Sequence, residues 1–462
     1  MFFVPIAPMV FQREMTASSI LSLRLMVGVF LSLALIVAAI PARAVSLIRD
    51  PDIEYALAHV AEPILLAAGL GSNVRILVAN DKSLNAFVLD NNHIFIHLGM
   101  LQKLDTPEKL QAVIAHEVAH ITNGHITRRI SNMGTAQSAA SLGLALALAV
   151  AAATGNGELG AGLALGLTSA ANRRFLAHTR AEEAAADQSG VRYMARSGVD
   201  PRGAVEVHDM FRGQELLNTS RQDPYVRSHP LSRDRMRAMQ NFVDTYSGTP
   251  KPQPDASYWF HRARGKASAF SRSAKWTLQR ADESPTQDIR AMREAIAYLK
   301  LSDSGRARAK INQALELRPN DPFYYELKGQ ILLETRHFKD AVTAYERAVE
   351  LEPDNALCLA GYGRSLLAAG RSKDALAALE KARSRDFRDA RMLRDLGQAY
   401  AETGQNGQAS LATAERYALQ GRLKDAEIHA KRASGLLPRG SSAWRRAEDI
   451  IMAAKRADPK RN

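Results

Sequence analysis

The sequence predicts an α+β chain in which a mostly helical domain with a small β-sheet is followed by an all-α solenoid. Three observations carry this reading. Residues 45–247 mix helical periodicity with two short alternating runs, residues from 285 onward recur with a 34-residue period, and a polar, proline-rich stretch (GTPKPQPDA, 248–256) lies between them. The composition, 46% hydrophobic and 24% charged over 462 residues, suits two or three domains with real cores and excludes wholesale disorder.

In order along the chain, Asp52 to Gly69 has helical periodicity and Val74 to Val78 reads as a strand. A turn at Asp90-Asn91-Asn92 leads into a second strand ending at His97. Thr106-Pro107-Glu108 reads as a helix cap with proline at the first helical position. Residues 136–171 form an apolar, glycine-broken stretch whose runs are too short to span a bilayer, so an apolar helical hairpin is expected. Residues 248–284 are expected to be a linker and connecting helix.

Beyond the linker, Ala314-Leu-Glu-Leu-Arg-Pro319 returns as Ala348-Val-Glu-Leu-Glu-Pro353. The same offset of 34 relates Gly329, Gly363 and Gly397, and Gly370 with Gly404. Small residues at fixed places let paired helices pack closely, and this is the tetratricopeptide period. Repeats are expected over residues 285–456, with an irregular end because Gly421 follows Gly404 by only 17 residues, and a basic tail at 457–462. Such arrays present protein-binding surfaces.

Residues 1–44 read as a cleaved signal peptide. Arg13 and Arg24 precede the apolar run Met26 to Ile40, and Pro41-Ala42-Arg43-Ala44 has the small-x-small pattern of a cleavage site; Met15 is an alternative start. Cys358 is the only cysteine, which excludes an intrachain disulfide and a cysteine-rich metal site. Together these predict a periplasmic location in a Gram-negative cell. The net charge of +13 predicts contact with an anionic membrane surface or acidic proteins, and not with nucleic acid, since export removes the chain from it and no nucleic-acid module appears.

The chemistry centres on His116-Glu117-Val118-Ala119-His120, an HExxH motif. Histidines spaced i, i+4 share one helical face and can bind one zinc ion, with Glu117 placed beside the attacking water as general base. A catalytic zinc needs a third protein ligand. His125 is turned away on a continuing helix, whereas Glu183 and Asp187 lie i, i+4 on another helix. Glu183 then reads as the third ligand, with Glu182 as its competitor, and Asp187 as the group that holds a ligand histidine by its far nitrogen. HExxH opposed to Glu-x-x-x-Asp is the glutamate-zincin arrangement of a metalloprotease domain.

With HEVAHITNGH, the TRAEEAAAD segment, Asn85-Ala86-Phe87 and His229-Pro230 with Arg235, the chain resembles the peptidase family that includes HtpX and the CAAX prenyl proteases. The resemblance implies one zinc per chain held by His116, His120 and Glu183. For His229 it implies either stabilisation of the oxyanion or a plug that serves as a fourth zinc ligand. Thr179 and Ala185 depart mildly from the family pattern and leave the ligands intact. With export and repeats, it implies an endopeptidase for unfolded polypeptides, with outer-membrane β-barrel proteins and their assembly machinery as partners. The competing expectation is a repeat scaffold or chaperone whose protease site is dormant. The strand ending at His97 is expected to pair with extended substrate.

Overall fold

The computed structural model describes residues 47–128, 179–218, 221–246 and 248–457. The expected signal peptide and the apolar hairpin lie outside the described residues. Among those described, no helix is long and apolar enough to cross a membrane.

The sheet is built from β1 (Leu47–Ile48), β2 (Arg75–Ala79), β3 (Ala86–Val88) and β4 (His93–His97), in the order β1-β2-β4-β3. Successive side chains of a strand point to opposite faces. Ile76, Val78, Ala86, Val88, Ile94 and Ile96 therefore enter the main core, while Leu77, Leu89 and Phe95 form a smaller cluster. β4 pairs in parallel with β2 and antiparallel with β3, so both of its edges are taken. This corrects the expectation that His93 to His97 offers an edge to substrate. The short return strand β3, turned by Asp90, covers that edge and itself ends the sheet on this side.

Below the sheet lie α1 (Pro51–Ala67), α2 (Leu98–Lys103) and α3 (Pro107–Thr122). α3 starts where Thr106 Oγ1 accepts the Lys109 amide and Pro107 occupies the first turn. It is buried almost all round from Leu110 to Ile121, which makes it a central core helix. α4 (Arg180–Ser197) crosses it at Gly190, where an added Cβ would meet Ala115 C and His116 N at 3.3 Å. This first core is completed by α5 (Arg202–Met210), α6 (Pro224–Ser228) and α7 (Arg233–Asp244).

The expected linker becomes helical at Pro254. α8 (Pro254–Ser271) places Phe260, Ala263 and Ala267 in that core, and Ala269 in the core of the solenoid. After α9 (Ala274–Gln279), paired helices follow: α10 (Gln287–Lys300) with α11 (Ser304–Leu317), α12 (Pro322–Glu334) with α13 (Phe338–Leu351), α14 (Ala356–Ala368) with α15 (Ser372–Arg385), and α16 (Ala390–Glu402) with α17 (Asn406–Leu419). Asp321, Asn355 and Asp389, 34 residues apart, each cap the first helix of a pair. Gly329 explains its own recurrence, since a Cβ there would stand 2.6 Å from the Tyr345 ring. Single helices α18 (Leu423–Leu436) and α19 (Ser442–Arg456) end the array.

Two charged seams join the halves. In the first, Arg262 and Lys266 of α8 are fully buried. Arg262 reaches Asp52 at 2.7 Å and Asp321 at 2.7 Å, while Lys266 Nζ lies 2.9 Å from Asp50 and 3.6 Å from Glu326. In the second, Arg49 and Arg75 meet Asp386 at 2.8 and 3.2 Å, and Arg391 donates to the Arg49 carbonyl at 2.6 Å. Burial pushes the Asp386 carboxyl up, but Arg49 and Arg75 outweigh it and hold the pKa at about 2.

A folded-state pKa below the unfolded value stabilises above the unfolded pKa and is lost as pH falls through the folded one. Asp386→Asn is thus expected to cost on the order of 2 kcal/mol at neutral pH. The gap between wild type and variant in thermal unfolding should close between about pH 4 and pH 2; a gap independent of pH would contradict the assignment.

Candidate metal centre

α3 and α4 bring the two halves of the site together. His116 and His120 lie one turn apart on α3, and Glu183 faces them from the first turn of α4. The start of α4 also decides between the two neighbouring glutamates. Thr179 Oγ1 accepts the Glu182 amide at 3.2 Å and Glu182 Oε2 accepts the Thr179 amide at 3.0 Å, a capping box that engages Glu182 at the helix end. Glu183 is left to turn inward, where it is wholly buried.

One nitrogen or oxygen from each of His116, His120, Glu183 and His229 lies within 4.8 Å of the others. His116 Nε2 is 3.1 Å from His120 Nε2, 3.2 Å from His229 Nδ1 and 3.4 Å from Glu183 Oε2. Glu183 Oε1 is 3.1 Å from His229 Nδ1 and 3.5 Å from His120 Nε2. Ligands about 2.1 Å from a tetrahedral metal are separated by about 3.4 Å, so this spacing fits such an ion.

The outer partners orient the rings in the same sense. His116 Nδ1 faces Asp187 Oδ1 at 3.0 Å and donates to it, so Nε2 is the atom aimed inward, where a metal ion can take the place of a proton. His229 Nε2 faces the Ala86 carbonyl at 3.3 Å and Glu117 Oε1 at 3.4 Å, while its Nδ1 points into the cluster, 3.1 Å from Glu183 Oε1. His120 Nδ1 meets His125 Nδ1 at 2.8 Å, and donation to His125 frees His120 Nε2 as an inward acceptor. Ring nitrogens and a carboxylate oxygen that converge on one buried centre favour a cation between them.

Charge leads to the same conclusion. Three buried carboxylates, Glu117, Glu183 and Asp187, outnumber the one guanidinium, Arg235. Burial opposes a charge on His116, but Asp187 and Glu183 overcome it and raise its pKa to about 10. Burial pushes Glu183 up, while His229 and His116 bring it well below the usual carboxylate range. The pocket therefore favours positive charge at its centre.

Sequence reasoning missed most of the supporting shell. Arg235 donates through Nε and Nη2 to both oxygens of Asp187 at 2.8 Å, and its Nη1 lies 2.9 Å from Glu183. It thereby fixes Glu183 and the carboxylate behind His116 together. His208 Nε2 is 3.7 Å from Asp187, and the Tyr225 ring packs 4.7 Å from His229. Arg235 was visible as part of the family resemblance; His208 and Tyr225 carry no spacing signal. Asp187→Asn is expected to lower metal affinity by about 10- to 100-fold, read by competition with a chromophoric chelator. Unchanged affinity would remove Asp187 from this role.

The sequence profile of peptidase family M48 matches residues 48–243, and tetratricopeptide repeat profiles match 292–356 and 332–396. The chain is 24% identical over 271 residues to the beta-barrel assembly-enhancing protease of Escherichia coli K12, an alignment covering 58% of this chain and 55% of that protein. It is 26% identical over 191 residues to the Yersinia pestis protein of the same name, covering 41% and 38%. It thus spans little more than half the length of the E. coli relative. Among solved structures, MamA from Desulfovibrio magneticus RS-1 matches 35% of this chain and 94% of its own at 20% identity, with a TM-score of 0.31. Residues 48–243 therefore carry an M48 peptidase domain with a candidate metal site at His116, His120, Glu183 and His229, and tetratricopeptide repeats follow it.

Proposed function

We propose that this chain is a zinc-dependent endopeptidase of the periplasm, with residues 1–44 as its export signal, that cleaves unfolded or unassembled polypeptides. The observation that carries the reading is the convergence of His116, His120, Glu183 and His229 on one centre beside the buried Glu117 carboxylate. Zinc held by His116, His120 and Glu183 would supply Lewis acidity to a scissile carbonyl and acidity to an attacking water. Glu117 takes the proton of that water and delivers it to the leaving amine. Asp187 and Arg235 keep His116 and Glu183 in register throughout.

His229 is best read as a resting plug. Its Nδ1 stands at the fourth corner of the donor set, and its Nε2 engages the Ala86 carbonyl on β3, the strand that ends the sheet. Displacing His229 would free a ligand position and a backbone acceptor of an edge strand at once. Pairing along such an edge reads extended shape and not sequence, which suits unfolded segments. By analogy with the named relatives, outer-membrane β-barrel proteins and their assembly machinery are the proposed substrates and repeat-bound partners, with chaperone-like support from the solenoid.

The same plug supports the dormant-scaffold reading. Purified protein should contain one zinc per chain and cleave casein or an unfolded β-barrel protein, with both properties lost on chelation and regained with zinc. Protein without zinc would overturn the proposal. Zinc-loaded protein that cleaves only after His229→Ala would establish the plug, and zinc-loaded protein inactive in both forms would favour the scaffold.

A further inference from the structure

We propose that the exposed face of α18, near the end of the solenoid, docks on an anionic phospholipid bilayer. The inference does not depend on the peptidase reading. Residues 416–461 hold twelve Lys and Arg against five Asp and Glu, so more than half of the net +13 resides in about a tenth of the chain. The charge is displayed on one helical face. Lys424, Ile428, Lys431, Arg432 and Leu436 follow the spacing i, i+4, i+7, i+8, i+12 and are all exposed, whereas Ala426, Ala430 and Ala433 are buried on the opposite side.

Ile428 and Leu436 are 65% and 54% exposed, a large apolar area for the end of a solenoid, where a polar cap is the rule. The two acids of the helix are already paired: Asp425 with Arg422 at 2.6 Å, and Glu427 with Lys431 at 2.7 Å. Lys424, Arg432 and the adjoining, exposed Arg439 have no acidic partner among the described residues. α19 continues the pattern with exposed Arg445, Met452 and Lys455.

The arrangement selects among occupants. A second copy of this chain would set one cationic face against another. An acidic protein would satisfy the Lys and Arg side chains but would need matching apolar pockets for Ile428 and Leu436. A bilayer surface supplies phosphate headgroups and, just below, the acyl boundary, continuously in two dimensions and without shape complementarity. The cationic side chains would lie among the headgroups while Ile428 and Leu436 enter the boundary.

The test is co-sedimentation of the full chain with phosphatidylcholine vesicles, with and without phosphatidylglycerol. The readout is the ratio of the two affinities, because the apolar run Met26 to Ile40 would bind both kinds of vesicle. The wild type should prefer the anionic vesicles, the preference should fall with added salt, and K424E/R432E/R439E should reduce it by about a hundredfold. I428S/L436S should bind more weakly while keeping its salt dependence. A wild-type ratio near one, or one indifferent to salt, overturns the proposal without any variant. An undiminished ratio in the triple variant with unchanged circular dichroism does the same. Binding of polyglutamate that the triple variant loses, with no vesicle preference in the wild type, would assign the face to an acidic protein instead.

Discussion

Glu117→Gln is expected to keep zinc bound and to lower peptide hydrolysis by about 10²- to 10⁴-fold, the contribution of a positioned general base. The substitution preserves shape in a site where Glu117 is wholly buried, so packing against α3 should change little. What is lost is the ability to accept a proton. Glu117 lies 3.4 Å from His229 Nε2, and the amide can still accept from that ring through its oxygen, so the resting arrangement should survive. The discriminating measurement pairs zinc content with cleavage rate. Undiminished zinc with collapsed turnover supports the assignment; full turnover would sink it, and loss of zinc would move Glu117 from proton transfer to metal support.

Lys266→Met should produce the largest loss of stability, about 3 to 5 kcal/mol, because it strands buried carboxylates without their cation. Lys266 is fully buried and faces Asp50, Asp52 and Glu326. Arg262, its neighbour one turn away, is committed to Asp52 and Asp321 and stacks 4.0 Å from the Tyr324 ring, so it cannot take over. Burial raises Glu326 to a pKa of about 7 despite Lys266. A folded-state pKa above the unfolded one favours folding below the unfolded value and loses that contribution as pH rises through the folded value. The variant's deficit should therefore be smaller at pH 6 than at pH 8. In Lys266→Met combined with Glu326→Gln only the part of the loss owed to Glu326 should return, since Asp50 and Asp52 remain without Lys266. Denaturant unfolding followed separately in the two halves would read this out, and a deficit the same at both pH values would refute the role given to Glu326.

The legible parts of this chain are those written in local spacing. Thr106-Pro107 announces α3, the i, i+4 histidines announce their shared face, and the 34-residue recurrence of small residues announces the helix pairs, because each follows from backbone geometry within a few turns. The preference for Glu183 over Glu182 rests in the sequence on the i, i+4 spacing to Asp187, and Thr179 three residues before Glu182 adds a capping-box signature that engages the competing carboxylate. The strand at His93 to His97 was correctly placed as a strand and wrongly as an edge. Alternation specifies which side chains share a face but not which strands lie on either side, and that depends on β2 and β3 meeting β4 from opposite directions.

The sequence by itself thus determined the helix that carries His116, Glu117 and His120, the residue types able to complete a metal site, and the solenoid. Tertiary structure alone decided that His229 lies beside His116, His120 and Glu183, that Arg235 braces Asp187 and Glu183 together, that β3 ends the sheet, and that Arg262 and Lys266 hold the two halves through buried charge. These are contacts between residues tens to hundreds of positions apart, and no period records them. They arise only when packing removes water and leaves each buried charge to find its partner.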